Sequence, residues 1–173
     1  MKIPLNDQEA DAMRSVLLLV LFMFCGDACA KAETFSNIFL DRKSNAHVSL
    51  AQGGERRLTT NGRAMNVALS GDRRTAAWLV RETWELDGQR HVTADTLMAY
   101  RGGRYRRIKC SPFIRSYWFW NGGKQLAIDC GGLHFAGTLS LYDFATGKLI
   151  DSFSQPDIPE GERPAWSKPT EEY

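Results

Sequence analysis

Residues 115–153 read RSYWFWNGGKQLAIDCGGLHFAGTLSLYDFATGKLIDSF, four short apolar runs parted by glycine-bearing breaks. Asn121-Gly122-Gly123 separates the first two runs, Gly131 to Gly137 the middle two, and Asp143 to Gly147 the last two. Runs this short, bounded by Asn, Asp and Gly, are strand-length and too brief for helices. Strands are therefore expected at 115–120, 124–130, 137–143 and 148–153. In the third, Leu139 and Leu141 fall on one face and Thr138, Ser140 and Tyr142 on the other, the alternation of a pleated strand.

The same order of features occurs earlier in the chain. Leu69-Ser70-Gly71-Asp72 followed by Thr75–Val80 (TAAWLV) matches Phe119–Gly123 followed by Gln125–Cys130 at a spacing of 50. Val48–Gly54 (VSLAQGG) matches Leu97–Gly103 (LMAYRGG) at a spacing of 49. Ala165-Trp166-Ser167 is a partial third copy. A repeat of this period marks modules that bury their faces against each other. The first full unit is expected to place strands at 65–70, 75–81, 95–100 and 104–109, with a loop across 81–94. Residues 46–51 and 55–59 form the outer pair of an incomplete unit before it. No helical periodicity is evident after residue 30, so the chain reads as all-β.

The stretch Gly53–Gly62 (GGERRLTTNG) with Val67–Trp78 (VALSGDRRTAAW) resembles the WD40-like repeat of TolB-type β-propellers, where a Gly-rich turn and an R-R-L-T strand lead to a W-S-P-D-G turn. Leu141–Ile150 (LYDFATGKLI) is similar to the D-x-x-T-G-K hairpin of propeller blades. The resemblance spans about residues 46–154, with a trace at 163–168. It implies blade-like, antiparallel four-stranded sheets. It also implies protein contacts in the cell envelope, though not membership of the Tol complex. The chain departs from the pattern at Ser70-Gly71-Asp72-Arg73, which lacks the Pro and the final Gly of the turn. Propellers close with about four to eight blades. Two full units cannot close a ring, so an open stack is expected, a partial β-propeller, with dimerisation into one ring or a compact sandwich as alternatives.

The N-terminus is of another kind. Val16–Phe24 (VLLLVLFMF) is roughly half the length needed to span a bilayer, and Ala28-Cys29-Ala30 follows it. That pattern is a secretory signal peptide over residues 1–30, cut after Ala30 or, as second choice, Ala32. Asp7, Glu9 and Asp11 are foreign to such a signal, whereas Met13-Arg14 supplies a basic start, so translation is expected to begin at Met13. The remainder divides into a blade-repeat domain over 31–154 and a C-terminal strap over 155–173. Four prolines exclude that strap from a sheet interior, and Trp166 would anchor it. A periplasmic or secreted location follows, with no stable membrane span once the signal is removed.

Of 173 residues, 43% are hydrophobic and 24% charged, an ordinary globular balance. The net charge of +2 gives no ground for a nucleic-acid partner. Cleavage removes Cys25 and Cys29 and leaves Cys110 and Cys130. In an oxidising compartment two cysteines read as one disulfide, with two separate thiols as the alternative. In a propeller the two would share a rim, which favours the bridge. Lone cysteines lack paired zinc spacing, and no metal or cofactor is implied.

Three features could bind a partner. The aromatic run holds Tyr117 and Phe119 on one face and Trp118 and Trp120 on the other, either as packing between sheets or as a platform. The basic run Arg101, Arg104, Arg106, Arg107 and Lys109 lies on an outer strand, where positive charge also guards an edge. The loop at 131–137 carries the titratable His134 and Phe135. Beside the disulfide, this loop is the favoured binding rim. No G-x-S-x-G or H-E-x-x-H motif is present, and Glu82 and Glu85 fall in the expected loop. The leading expectation is a non-catalytic module that binds another envelope or secreted protein, an inhibitor or immunity role being a special case. A glycan or small-ligand binder using the aromatic strand and a hydrolase are the competing classes.

Overall fold

The computed structural model describes residues 32–168 except Asp87, Leu133 and Phe135, together with the backbone but not the side chain of Leu86. Residues 1–31, which hold the expected signal peptide, and residues 169–173 lie outside the described residues. Among the described residues, eleven strands form three antiparallel sheets. Sheet A holds β1 (Phe35–Leu40), β2 (Ala46–Leu50) and β3 (Glu55–Arg57). Sheet B is the meander β4 (Ala64–Leu69), β5 (Ala76–Leu86), β6 (Gln89–Arg101) and β7 (Arg104–Lys109). Sheet C repeats it with β8 (Ile114–Trp120), β9 (Gln125–Cys130), β10 (Thr138–Asp143) and β11 (Leu149–Ser154). The three sheets do not form a closed ring.

Two elements differ from expectation. The expected loop at 81–94 is a hairpin arm: β5 and β6 stay paired through Glu82↔Thr93 and Trp84↔His91, turning at Gly88 with φ 74°. Most of the arm's outer residues are exposed, so no apolar alternation was needed to form it, and Glu82 and Glu85 sit on a strand. β1 is the other addition. A register shift between Phe35 and Asn37 breaks its period of two and hides the strand.

Sheet B is apolar on both faces. Ala76, Trp78 and Tyr100 face sheet A and pack with Phe35, Ala46, Val48 and Leu58. Ala77, Leu79, Leu97 and Ile108 face sheet C and pack with Ile114, Phe119, Leu126 and Ile128. Each fully buried Leu, Ile or Phe stabilises by about 1.5–3 kcal/mol relative to exposure, so the two interfaces dominate the fold. A third cluster on the far face of sheet C joins Trp118, Ala127, Leu139 and Leu141 to Trp166 from the C-terminal segment. That segment runs as three short 3-10 turns.

The repeated turns lock the stack together. Ser70 and Thr75 exchange backbone and side-chain hydrogen bonds across the β4–β5 turn, and Asp72 accepts from the Ser70 hydroxyl at 2.7 Å and the Arg74 amide at 3.0 Å. Arg73 takes φ 57° where the family turn would carry its final glycine. The turn survives that departure because the Asp72 and Ser70 bonds define it. Across the sheets, the Thr75 hydroxyl donates to the Gly123 carbonyl at 2.8 Å, and the Phe35 amide donates to the Arg73 carbonyl at 2.7 Å. All three sheets therefore meet around one turn.

Gly123 has φ 76°, and a Cβ there would collide with the Ser70 side chain and sit 3.0 Å from Thr75 Oγ1. Gly123→Ala is predicted to destabilise by about 3 kcal/mol through backbone strain and steric overlap. Urea unfolding of the variant would measure it, and a loss below about 0.5 kcal/mol would refute the interlock.

Burial alone would raise the pKa of Asp72. Bonds from Ser70, Arg101 and Arg74 outweigh it and hold the carboxyl below its ordinary value. A depressed folded pKa stabilises above the unfolded value and is lost as pH falls through the folded one. Asp72→Asn should cost about 1 kcal/mol at pH 7, since the group is partly solvated. The gap to wild type should close as pH drops below about 4. Thermal melts across acid pH would show a constant gap if Asp72 contributes nothing.

Candidate functional site

β7 of sheet B and β9 of sheet C end on the same rim, and Cys110 and Cys130 are joined there with a Cα–Cα distance of 5.8 Å. The disulfide read from the sequence is present and cross-links two sheets. The chain after Cys130 turns sharply: the Gly131 amide donates to the Phe113 carbonyl at 3.0 Å. Gly131 and Gly137 approach so closely that a Cβ on Gly131 would lie 2.9 Å from the Gly137 Cα. Below the loop, Arg115 donates to Asp129 at 2.6 Å and the Gln155 amide adds a 3.2 Å bond. Asp129 thus fastens the base of the loop.

A cleft of about 580 Å³ opens against this loop, lined by Pro112, Phe113, Gly132, His134, Ala136 and, from the arm of sheet B, Trp84. His134 is exposed, and Phe135 lies outside the described residues. Trp84 stacks on His91 with ring centroids 4.7 Å apart, yet stays 39% exposed; Val92, on the opposite face of the arm, is 52% exposed. A half-exposed tryptophan braced by a cross-strand partner is a pre-formed apolar contact. The sequence reading missed Trp84 because it lay within the supposed loop. Trp84 and His91, spaced evenly about the Asp87-Gly88 dipeptide in the sequence, were the signal of a hairpin.

The other residues singled out from the sequence do not converge on this cleft. Tyr117 and Phe119 pack toward sheet B, and the Tyr117 hydroxyl lies 2.5 Å from the Asn66 carbonyl and 3.1 Å from that of Ala77. Trp118 is buried beneath the C-terminal segment, its indole N–H donating to the Trp166 carbonyl at 2.8 Å. Trp120 is half-buried in the same cluster. The aromatic strand therefore serves two packing interfaces.

The basic strand is likewise divided by the pleat. Arg106 reaches sheet C, where its Nε donates to the Phe144 carbonyl at 2.7 Å, its Nη2 to Ala145, and its guanidinium lies over the Phe144 ring at 5.7 Å. Arg101 binds Asp72 and Thr75, each at 2.8 Å. Arg104 is exposed at the hairpin tip. Near the other end of the sheet A interface, burial and the Glu33 carboxylate raise the pKa of Tyr100, and Arg56 partly opposes them. Among the described residues no three His, Cys, Asp or Glu side chains are grouped to hold a metal ion. No helix there is long and apolar enough to cross a membrane.

Compared with protein-family models and with curated proteins, the chain matches no family model and no curated sequence. Its chemistry therefore has to be argued from its own residues.

The disulfide closes a loop with a sequence separation of 20. Replacing Cys110 and Cys130 together with serine should lower stability by about 3 kcal/mol. Guanidinium unfolding of the double variant against oxidised wild type checks this. Equal midpoints would show that the rim holds without its bridge.

Proposed function

We propose that this chain is an exported, non-catalytic protein-binding module of the bacterial cell envelope, built on sheets of the TolB-like propeller type. The observation that carries the proposal is the Trp84–His91 arm, which presents an exposed tryptophan across a cleft from the disulfide-anchored loop. Tryptophan in such surroundings is the side chain most often responsible for binding energy between proteins. A cross-linked rim limits the entropy lost when a partner docks, because the loop is already ordered at both ends. The Cys110–Cys130 bridge fits an oxidising compartment, as does the signal-like run at residues 16–30.

The repeat spacing near fifty residues and the D-x-x-T-G-K hairpin support the family reading, and three stacked meander-like sheets are compatible with it. Open rims between stacked sheets are also where a scaffold of this kind can vary without disturbing its core.

Expression of the full gene in its own bacterial host tests both halves. The mature chain should be recovered from the envelope or medium beginning at Lys31 or Glu33, two hydrogens lighter than its reduced form. A photo-reactive phenylalanine at position 84 should give discrete protein adducts that one at Ser36 does not. A cytoplasmic chain with free thiols would overturn export. Adducts no different from those at Ser36 would overturn the rim.

A further inference from the structure

Sheet A covers only part of the sheet B face that it packs on. β3 is three residues long, and after Leu58 the chain leaves the sheet and returns as the connection 59–63 to β4. Beyond that edge the face of sheet B continues, with Trp78 and Thr96 still buried and Val80 and Met98 partly exposed. Strand pairing sets side chains there in rows, Trp78–Met98–Arg107 and Val80–Thr96–Lys109. The result is a groove of about 470 Å³ with Trp78, Met98, Tyr105 and Arg107 on its floor and Arg57 and Thr60 among its wall residues.

The charge of this groove is one-sided. None of its lining residues is acidic. Arg63, also at the wall, spends its charge on Glu82 and donates its Nε to the Arg81 carbonyl at 3.0 Å. Arg57 and Arg107 have no acidic or carbonyl partner among the described residues. Between them lies apolar surface, and Tyr105 stands 45% exposed, its ring edge-on to Trp78 at 6.2 Å.

Guarding an edge strand accounts for arginines on β7, the last strand of sheet B. β3 is likewise an edge strand, so the same guard covers Arg57, but it does not account for an aromatic residue left half-exposed between the two arginines with no carboxylate beside it. Guanidinium pairs of this kind take carboxylates bidentately, and the apolar floor suits side chains between those carboxylates. A bare inorganic anion would leave the floor unused.

We propose that this groove binds an acidic peptide segment of a partner protein, its carboxylates taken by Arg57 and Arg107 and its apolar side chains by Met98 and Tyr105. The site lies between sheets A and B, apart from the disulfide rim between B and C. The rim and the groove therefore stand or fall separately.

The test is fluorescence anisotropy of the full oxidised chain with a short labelled peptide alternating Glu and Phe, at low ionic strength. The peptide should bind, and its Lys-for-Glu counterpart should not. Arg57→Gln and Arg107→Gln should each weaken binding roughly tenfold with unchanged melting temperature. Arg104→Gln removes the same charge from the other face of β7 and should change affinity by less than about twofold. The proposal is overturned if the acidic peptide does not bind, or if tripolyphosphate binds in its place. It is equally overturned if Arg104→Gln weakens binding as much as the two groove variants, which would mark diffuse charge attraction.

Discussion

A sheet that is apolar on both faces cannot be left bare on either, and sheet B is such a sheet. Ala76, Trp78 and Tyr100 demand cover on one side, Ala77, Leu79, Leu97 and Ile108 on the other. Everything else in the architecture answers that demand. Sheets A and C flank B, and each then has an outer face of its own to settle. The two ends settle it differently. Sheet C keeps an apolar outer face and covers it with Trp166, while sheet A turns polar: Ala46 and Val48 point inward and His47 and Ser49 outward. His47 is further tied to Glu55 at 2.5 Å and to Asp41 at 3.3 Å and stacks on Phe39. An open stack ended in this way has little apolar sheet face left to drive ring closure.

The parts of this fold that were legible in the sequence are those where burial imposes a period. β8 to β11 and the inner lengths of β5 and β6 alternate or run apolar because neighbouring sheets press on them, and their turns carry Asn or Gly. Where that pressure stops, the pattern stops. The arm beyond Val80 is paired as regularly as the rest of β5 and β6, yet its outer residues are mostly exposed and alternate with nothing. β1 was hidden for a different reason, a register shift that displaces Ile38 relative to Phe35. Both misses are local failures of periodicity in strands held by backbone pairing.

Candidate binding residues fared unevenly for the same physical cause. Arginine and tryptophan are common at interfaces between proteins and equally common at interfaces between sheets, so residue type alone does not separate the two. The pleat does. Arg106 and Arg107 are neighbours in sequence, but Arg106 points to sheet C and caps the carbonyls of its β10–β11 turn, whereas Arg107 points into the groove beside sheet A. Trp118 and Trp84 differ likewise, one sealed under the C-terminal segment and one left at the end of an arm. Strand register, which requires knowing where each turn begins, assigns each of these side chains to cohesion or to contact.

Both surfaces argued to meet partners arise where the stacking is incomplete. The rim cleft exists because β5 and β6 outrun their neighbours, so Trp84 overhangs the loop of sheet C. The groove exists because sheet A has three strands to cover four, and its last is only three residues long. A fourth full strand in sheet A would lie across Met98 and Tyr105 and would have no use for unpaired arginines on either side. Charge placed around an uncovered apolar strip keeps the strip soluble while making it selective, because only an occupant that brings carboxylates can displace water from the arginines at little cost. The same shortfall of strands that leaves the stack open thereby leaves the groove at which the proposed acidic segment would dock.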